Sequence, residues 1–257
     1  MPLINPTEPS AAAPSARRWP WAGRWAGHDL GPLPLLLITL TVATGMVDAV
    51  SFLAFGRVFV ANMTGNVVFL GFALAGASGL SAPASLAALA AFLLGALVGG
   101  RIAESCAEHR GRHLRTATTV ALGPMLIAVA IAAVVGQPVS GGARYALIVP
   151  LALAMGIQNA TARSLAIPDL TTTVLTMTLT GIAADSRLAG GKGAQLARRS
   201  VSVVAMFAGA LISGLLVIEV DVLVPVAVAA VLVAGAALCA NAFAKADVGW
   251  TRRPGGP

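Results

Sequence analysis

The sequence contains few charged residues. Only 11% of its 257 residues are charged and 57% are hydrophobic, whereas soluble domains carry about 25% charged residues. Because a soluble globule could not bury so much apolar surface, the water-soluble classes are excluded. The 17 Lys and Arg residues behind the net charge of +7 cluster between apolar runs, as in the cytoplasmic loops of membrane proteins beside anionic lipid. The lipid bilayer is therefore an expected partner, and nucleic acid is not.

Residues for metal binding or redox chemistry are also scarce. Cys106 and Cys239 form no metal or redox spacing, and His109 and His113 stand among arginines in a stretch that indicates a solvated cytoplasmic loop. The apolar runs contain no histidine, and the chain has no phosphate-binding or dinucleotide-binding motif. Intramembrane proteolysis would need a second aspartate or a Ser–His pair at membrane depth. We therefore expect no cofactor, no metal site and no enzymatic activity.

Eight apolar runs make up most of the chain, several of them near the length of about 20 residues that a helix needs to cross a bilayer. They cover 33–55, 58–76, 83–100, 117–136, 144–162, 170–184, 200–218 and 222–243. Two runs are unusual. Run 58–76 contains the stretch NMTGN, and run 170–184 contains six threonines in a length of only about 22 Å if helical. The fold class predicted is an all-α polytopic membrane protein.

The distribution of basic residues distinguishes two topologies. If all eight runs cross the membrane with the amino terminus inside, 11 Lys and Arg lie inside and six outside. If the two unusual runs enter and leave on one side, 15 lie inside and only Arg57 and Arg144 lie outside. The positive-inside bias favours six transmembrane helices plus two short re-entrant or broken segments, with both termini cytoplasmic. Such segments need protein or a watery cavity around them, so they generally line a site.

Three segments of the first half match three segments of the second half in the same order, which predicts a duplicated unit. Because each unit would cross the membrane three times, the two units would form an inverted 3+3 repeat, an arrangement that in transporters places a solute site at the repeat interface. The matches are GMVDAVS at 45–51 with GIQNATA at 156–162, Thr64 and Asn66 with Thr176 and Thr178, and GALVGG at 95–100 with GALISG at 209–214.

These boundaries predict one transmembrane domain with a tail at each end. Residues 1–32 form a disordered tail with a basic, Trp-rich juxtamembrane anchor, and residues 244–257 form a cytoplasmic tail. The domain spans 33–243, with repeat 1 at 33–136 and repeat 2 at 144–243. The small-residue faces of the GALVGG and GALISG segments favour close helix packing and are compatible with a homodimer.

The stretch GMVDAVSFLAFGRVFVANMTGNVVFLG, followed by GIQNA and TTTVLTMTLTG, resembles the YoaK-like family of multi-spanning bacterial inner-membrane proteins. The resemblance covers about residues 33–243. The family tends to have Thr-Gly-Thr-Leu-Thr where this chain has Met177 in second place. The resemblance implies a multipass protein of the bacterial plasma (inner) membrane and supplies no substrate, because the family is of unknown function.

Asp48 is the one acidic residue well inside a predicted transmembrane helix. A carboxylate in hydrocarbon normally faces a partner or a watery path. Asp48 is therefore either an ionisable centre in a cavity, with Ser51 on the same face, or a structural group that hydrogen-bonds the interrupted segment. Arg57 is either its ion-pair partner or an interfacial residue.

A neutral polar set comes from both halves and predicts either a solute site or interhelical hydrogen bonds. The preferred function is a secondary transporter or channel for a small solute or ion. The alternatives are a membrane scaffold or assembly protein that docks through a basic loop at 101–115 and, third, an intramembrane enzyme. The candidate substrate-binding residues are Asp48, Ser51, Asn62, Thr64, Asn66, Gln158, Asn159, Thr176 and Thr178.

Overall fold

The computed structural model describes residues 31–165, 175–186, 189–190, 196–244 and 251. Within these residues the fold consists of α-helices and contains no β-strand. The predicted amino-terminal tail and Trp-rich anchor, up to residue 30, lie outside the described residues, as do residues 170–174 of the Thr-rich run and nearly all of the carboxyl-terminal tail. The helices are α1 (Leu33–Ala54), α2 (Met63–Leu74), α3 (Ala82–Ser105), α4 (Arg110–Val135), α5 (Gly141–Leu165), α6 (Leu175–Ala184), α7 (Leu196–Glu219) and α8 (Leu223–Phe243).

Six of these helices are long and apolar enough to cross a membrane, namely α1, α3, α4, α5, α7 and α8. Helices α2 and α6 have 12 and 10 residues, so they are about 18 and 15 Å long, too short for about 30 Å of hydrocarbon. Large apolar side chains such as Leu97 and Leu238 are exposed on the outside of the bundle, as lipid contact requires. The predicted all-α class with six long and two short helices is confirmed.

Helices α3 and α5 are in backbone contact and run parallel. A Cβ atom at Gly95 would overlap the carbonyl of Leu153, and one at Gly99 would overlap the carbonyl of Ile157. The residue numbers increase together along the two helices, so their directions agree. Only glycine allows this approach, because any other side chain would meet backbone atoms.

Helices α1 and α7 form a second parallel pair of the same kind. A Cβ atom at Gly209 would overlap the carbonyl of Val42, and the Ser213 hydroxyl donates to the Met46 carbonyl at 2.8 Å. The residue numbers again increase together. The predicted role of the GALVGG and GALISG glycines in close helix packing agrees with these contacts.

Helices α1 and α5 are antiparallel to each other. Gly56, just after α1, lies against the guanidinium group of Arg144 at the start of α5. Gln158, near the end of α5, bonds Leu40 and Thr44 in the first half of α1. Because α3 is parallel to α5 and α7 is parallel to α1, the chain reverses direction between α1 and α3 and again between α5 and α7.

The short helices do not carry the chain across the bundle. The Arg57 side chain, after α1, lies about 3.1 Å from where a Cβ of Gly79, before α3, would stand, so α1 ends where α3 begins. We call this end of the bundle the Arg144 end. The opposite end, where α4 begins and α5 ends, is the His113 end, because His113 contacts Ser164 there.

The long connection expected around the basic residues 101–115 is much shorter in the structure. Helix α3 extends to Ser105 and α4 begins at Arg110. His113 therefore lies on a helix and is fully buried, and its prediction as a residue of a solvated loop was wrong. The sequence of the first turns of α4 resembles a loop because Arg110, Arg112 and Arg115 make it strongly charged.

The helices form two groups, each of which takes one helix from the other half of the sequence. Helices α2, α3 and α4 belong with α5, and helices α6, α7 and α8 belong with α1. Between the groups, α4 packs on α8 through alanine-rich faces, and α1 touches α5 only slightly. Corresponding helices of the two halves make corresponding pairs. This order supports the inverted 3+3 repeat, which stays a prediction.

Candidate functional site

Asp48 holds the chain where it turns back from α1 towards α2. Its Oδ1 accepts hydrogen bonds from the backbone N–H groups of Val60, at 3.0 Å, and Ala61, at 2.7 Å. These two groups precede α2 and have no helical partner, and backbone groups at membrane depth must be satisfied within the protein. Asp48 is buried and forms no ion pair with any residue the structure describes. Arg57 is therefore not its partner.

The NMTGN stretch begins α2. Asn62 is the N-cap, and its side chain accepts from the Gly65 N–H at 3.4 Å. A Cβ atom on Gly65 would lie 2.7 Å from the Phe59 ring, so glycine leaves room for that ring. The Phe59 ring stacks on Phe52 with centroids 5.1 Å apart. Thr64 and Asn62 are exposed.

Asn66 is the buried member of this stretch. Its Oδ1 accepts from the Phe59 N–H at 2.9 Å, and its Nδ2 donates to the Phe59 carbonyl at 2.6 Å. Asn66 and Asp48 thus bind consecutive parts of one loop, from Phe59 to Ala61. Ser51 is buried beside them, and its hydroxyl donates to the Asp48 carbonyl at 3.0 Å.

Gln158 makes the polar contact between α1 and α5. Its Nε2 donates to the Leu40 carbonyl at 3.1 Å and to the Thr44 hydroxyl at 2.7 Å. Thr44 lies four residues before Asp48 on the same face of α1. Thr44 is not among the site residues predicted from the sequence, although its helical spacing from Asp48 was the signal that could have identified it.

In the second half, Asn159 and Thr178 are buried and Thr176 is exposed. Helix α6 packs on α7, and α2 packs on α3, so the two short helices lie in different groups. From the α1–α5 contacts, Asp48 and Asn159 stand at levels about 10 Å apart along the bundle, at about 1.5 Å per residue. The predicted residues therefore do not converge on one point.

A series of buried polar residues extends from Asp48 through Thr44 and Gln158 to Asn159. The Asp48 and Asn159 ends lie nearer the Arg144 end and the His113 end, respectively. We call these four residues the polar column. Asn62, Thr64 and Thr176 are exposed and lie outside it.

Among the described residues, an ion pair joins Arg199 to Asp185 at the His113 end. The described residues contain no group of three His, Cys, Asp or Glu side chains that could hold a metal ion. Chemistry along the polar column therefore depends on hydroxyl, amide and one carboxyl group.

Comparison with known proteins gives a family and no activity. The chain is 33% identical over 150 residues to the UPF0700 transmembrane protein YoaK of Bacillus subtilis (strain 168). This match covers 58% of the chain and 65% of that relative. No solved structure matches the chain. Residues 36–239 match the family described as "Protein of unknown function (DUF1275)", and the chain therefore belongs to this family of multi-spanning membrane proteins.

Proposed function

We propose that this protein is a secondary transporter or channel for a small solute, which passes along the polar column between the two helix groups. The observation that carries the proposal is the α1–α5 contact. It places Gln158 and Thr44, both buried and polar, at the narrow contact between two otherwise well-packed groups. Polar groups at membrane depth are costly unless they meet a partner or water, and in many membrane proteins they line substrate or ion pathways.

The helix arrangement supports a rocking mechanism. Each group is held by parallel helices in glycine-mediated backbone contact, α3 with α5 and α1 with α7. Between the groups, the buried faces of α4 and α8 are rich in alanine, and Leu114 and Met125 are the large apolar side chains buried on α4. Rigid groups that pivot on a smooth interface alternately open the two ends of a central path, as in transporters with inverted repeats.

The charges support an orientation in the bacterial inner membrane with the His113 end cytoplasmic. Among the described residues, the Arg144 end has the two basic residues Arg57 and Arg144, whereas basic side chains are more numerous at the His113 end. By the positive-inside rule the His113 end faces the cytoplasm, which places both ends of the transmembrane domain there. The basic residues at the His113 end are Arg101, Arg110, Arg112, Arg115, Arg163, Arg198 and Arg199.

A scaffold or assembly protein without a permeation path is the second candidate, and the Asp48 and Asn66 contacts favour it. Both side chains bind loop backbone between Phe59 and Ala61, which is sufficient reason for their presence. In this reading the polar column only fixes helix positions, and the basic His113 end is the docking surface.

A solute-flux assay separates the two candidates. Purified protein is reconstituted in liposomes, and shrinkage and reswelling are followed by light scattering with glycerol, urea and glycine as probes. The variant Arg57→Cys/Arg144→Cys, in a background of Cys106→Ser and Cys239→Ser, is treated with a flexible bifunctional thiol reagent. Cross-linking joins the two helix groups at the Arg144 end and should reduce flux to the level of empty liposomes.

The matched control is Asp185→Cys/Arg199→Cys, which joins α6 to α7 within one group, where the ion pair shows that the side chains meet. This cross-link should leave flux unchanged. Equal flux before and after cross-linking at 57 and 144 would contradict rocking. Wild-type liposomes that match empty ones for all three probes would favour the scaffold.

A further inference from the structure

Gln158 has an acceptor that the chain does not use. The residue is 3% exposed, and its Oε1 is buried with no hydrogen-bond partner among the described residues. The amide orientation follows from its neighbours, because only Nε2 can donate to the Leu40 carbonyl. Buried amide oxygens are almost always hydrogen-bonded, and the usual partner in such cases is a molecule from outside the chain.

The surroundings define the chemistry of that molecule. The hydroxyl hydrogen of Thr44 is already donated to the Leu40 carbonyl at 2.9 Å, so Thr44 offers the contact no further donor. Only one acceptor, Oε1, lacks a partner there, whereas a metal cation such as Ca²⁺ would need at least six oxygen ligands. A single open acceptor matches a neutral molecule that donates one O–H or N–H.

We propose that Gln158 Oε1 binds the O–H or N–H of a small neutral molecule, either water or a solute, at the α1–α5 contact. The solute as the source rests on the proposed function, whereas water as the source does not. The site lies in the polar column, where Gln158 is next to Asn159 in the sequence and hydrogen-bonds the Thr44 hydroxyl.

The test is an experimental structure of the full chain in lipid nanodiscs at a resolution that shows ordered water, in plain buffer and with acetamide as the N–H probe. We expect density at about 2.7–3.2 Å from Oε1, a hydrogen-bonding distance. Water-sized density in both samples identifies water as the source. Larger density only with acetamide identifies a solute. Both results support the site.

Two variants make the assignment specific. Gln158→Met keeps the size of the side chain but removes the acceptor, so the density should be lost. Thr161→Val is the control, because Thr161 is equally buried on α5 and its hydroxyl bonds only the Ile157 carbonyl of its own helix. Its density should remain.

Three results would overturn the inference: no density in either wild-type sample, a protein N–H or O–H found donating to Oε1, or density that persists in Gln158→Met. These results are independent of flux. Density at Oε1 in a protein that moves none of the solutes would retain this site and contradict transport. Flux without density at Oε1 would support transport and contradict this site.

Discussion

At the residue scale, Asp48 is predicted to stabilise the protein chiefly through one oxygen. Asp48→Ala leaves the N–H groups of Val60 and Ala61 unpaired at membrane depth. We expect the free energy of unfolding to fall by about 2–6 kcal/mol, since each of the two unpaired groups costs about 1–3 kcal/mol. Asp48→Asn keeps an acceptor oxygen and should lose only about 1 kcal/mol. Unfolding in detergent micelles measures both variants.

Ser51→Ala is the control for Asp48, because the Ser51 hydroxyl bonds only a carbonyl within its own helix; it should have little effect. If Asp48→Ala were as stable as wild type, water would reach the loop and the Asp48 hydrogen bonds to Val60 and Ala61 would be unimportant for stability. If Asp48→Asn were stable but inactive in the flux assay, the charge of Asp48 would have a role beyond these hydrogen bonds.

The two asparagines of NMTGN are predicted to respond differently to the same change. In Asn66→Asp an oxygen replaces the Nδ2 that donates to the Phe59 carbonyl, so two acceptors face each other. We expect a loss of about 1–3 kcal/mol. Asn62→Asp should be neutral, because Asp is as good an N-cap as Asn. Thermal unfolding of the two variants side by side checks this. Equal stability would mean that the Asn66 contacts are not formed in solution.

At this scale the sequence predicted the important position but could not choose between its roles. Asp48 was identified because a carboxylate in an apolar run is rare and costly. The sequence left open a functional and a structural role, and the contacts to Val60 and Ala61 favour the structural one. The partners could not be predicted, since they are backbone N–H groups twelve and thirteen residues away. Almost every residue type has such a group, so the sequence does not mark them.

At the element scale, the glycines of α3 allow a prediction with its own control. Gly95→Ala puts a methyl group into the Leu153 carbonyl of α5, whereas nothing lies within 4 Å of a Cβ at Gly100. Gly95→Ala should destabilise the protein by about 1–3 kcal/mol through overpacking. Gly100→Ala should be neutral or stabilising by up to about 1 kcal/mol through helix propensity. Unfolding in micelles is the measurement. A neutral Gly95→Ala would show that α3 and α5 are not in backbone contact.

Long elements were predictable because a bilayer imposes their length and composition. The short ones were harder. Run 58–76 is long enough to cross, yet its helix extends only from Met63 to Leu74, because residues before it are bound to Asp48 and Asn66 as a loop. The start of α4 was missed because Arg110, Arg112 and Arg115 lower the hydropathy of this stretch, although all three are part of the helix.

At the scale of the whole molecule, the relative directions of α1 and α5 distinguish six membrane crossings from eight. An eight-span chain would make α1 and α5 parallel, since every alternate helix would point the same way. The contacts of Arg144 with Gly56 and of Gln158 with Leu40 require the antiparallel arrangement. The distribution of basic residues favoured six transmembrane helices, and with them the antiparallel arrangement, from the sequence alone. The exchange of α1 and α5 between the helix groups could not be predicted, because it depends on long-range packing that no local pattern encodes.

The last prediction concerns the sides of the membrane. In a background of Cys106→Ser and Cys239→Ser, single cysteines replace Ala77, between α2 and α3, and Glu108, between α3 and α4; both positions are exposed. Because the basic His113 end should face the cytoplasm, an impermeant maleimide should label position 77 in intact cells and position 108 only in inverted vesicles. Labelling of both positions with the sides exchanged would mean that the bundle is inserted the other way or that α2 crosses. A third cysteine replacing Arg57, exposed between α1 and α2, distinguishes these cases. It shares a side with position 77 in the inverted bundle, and with position 108 if α2 crosses.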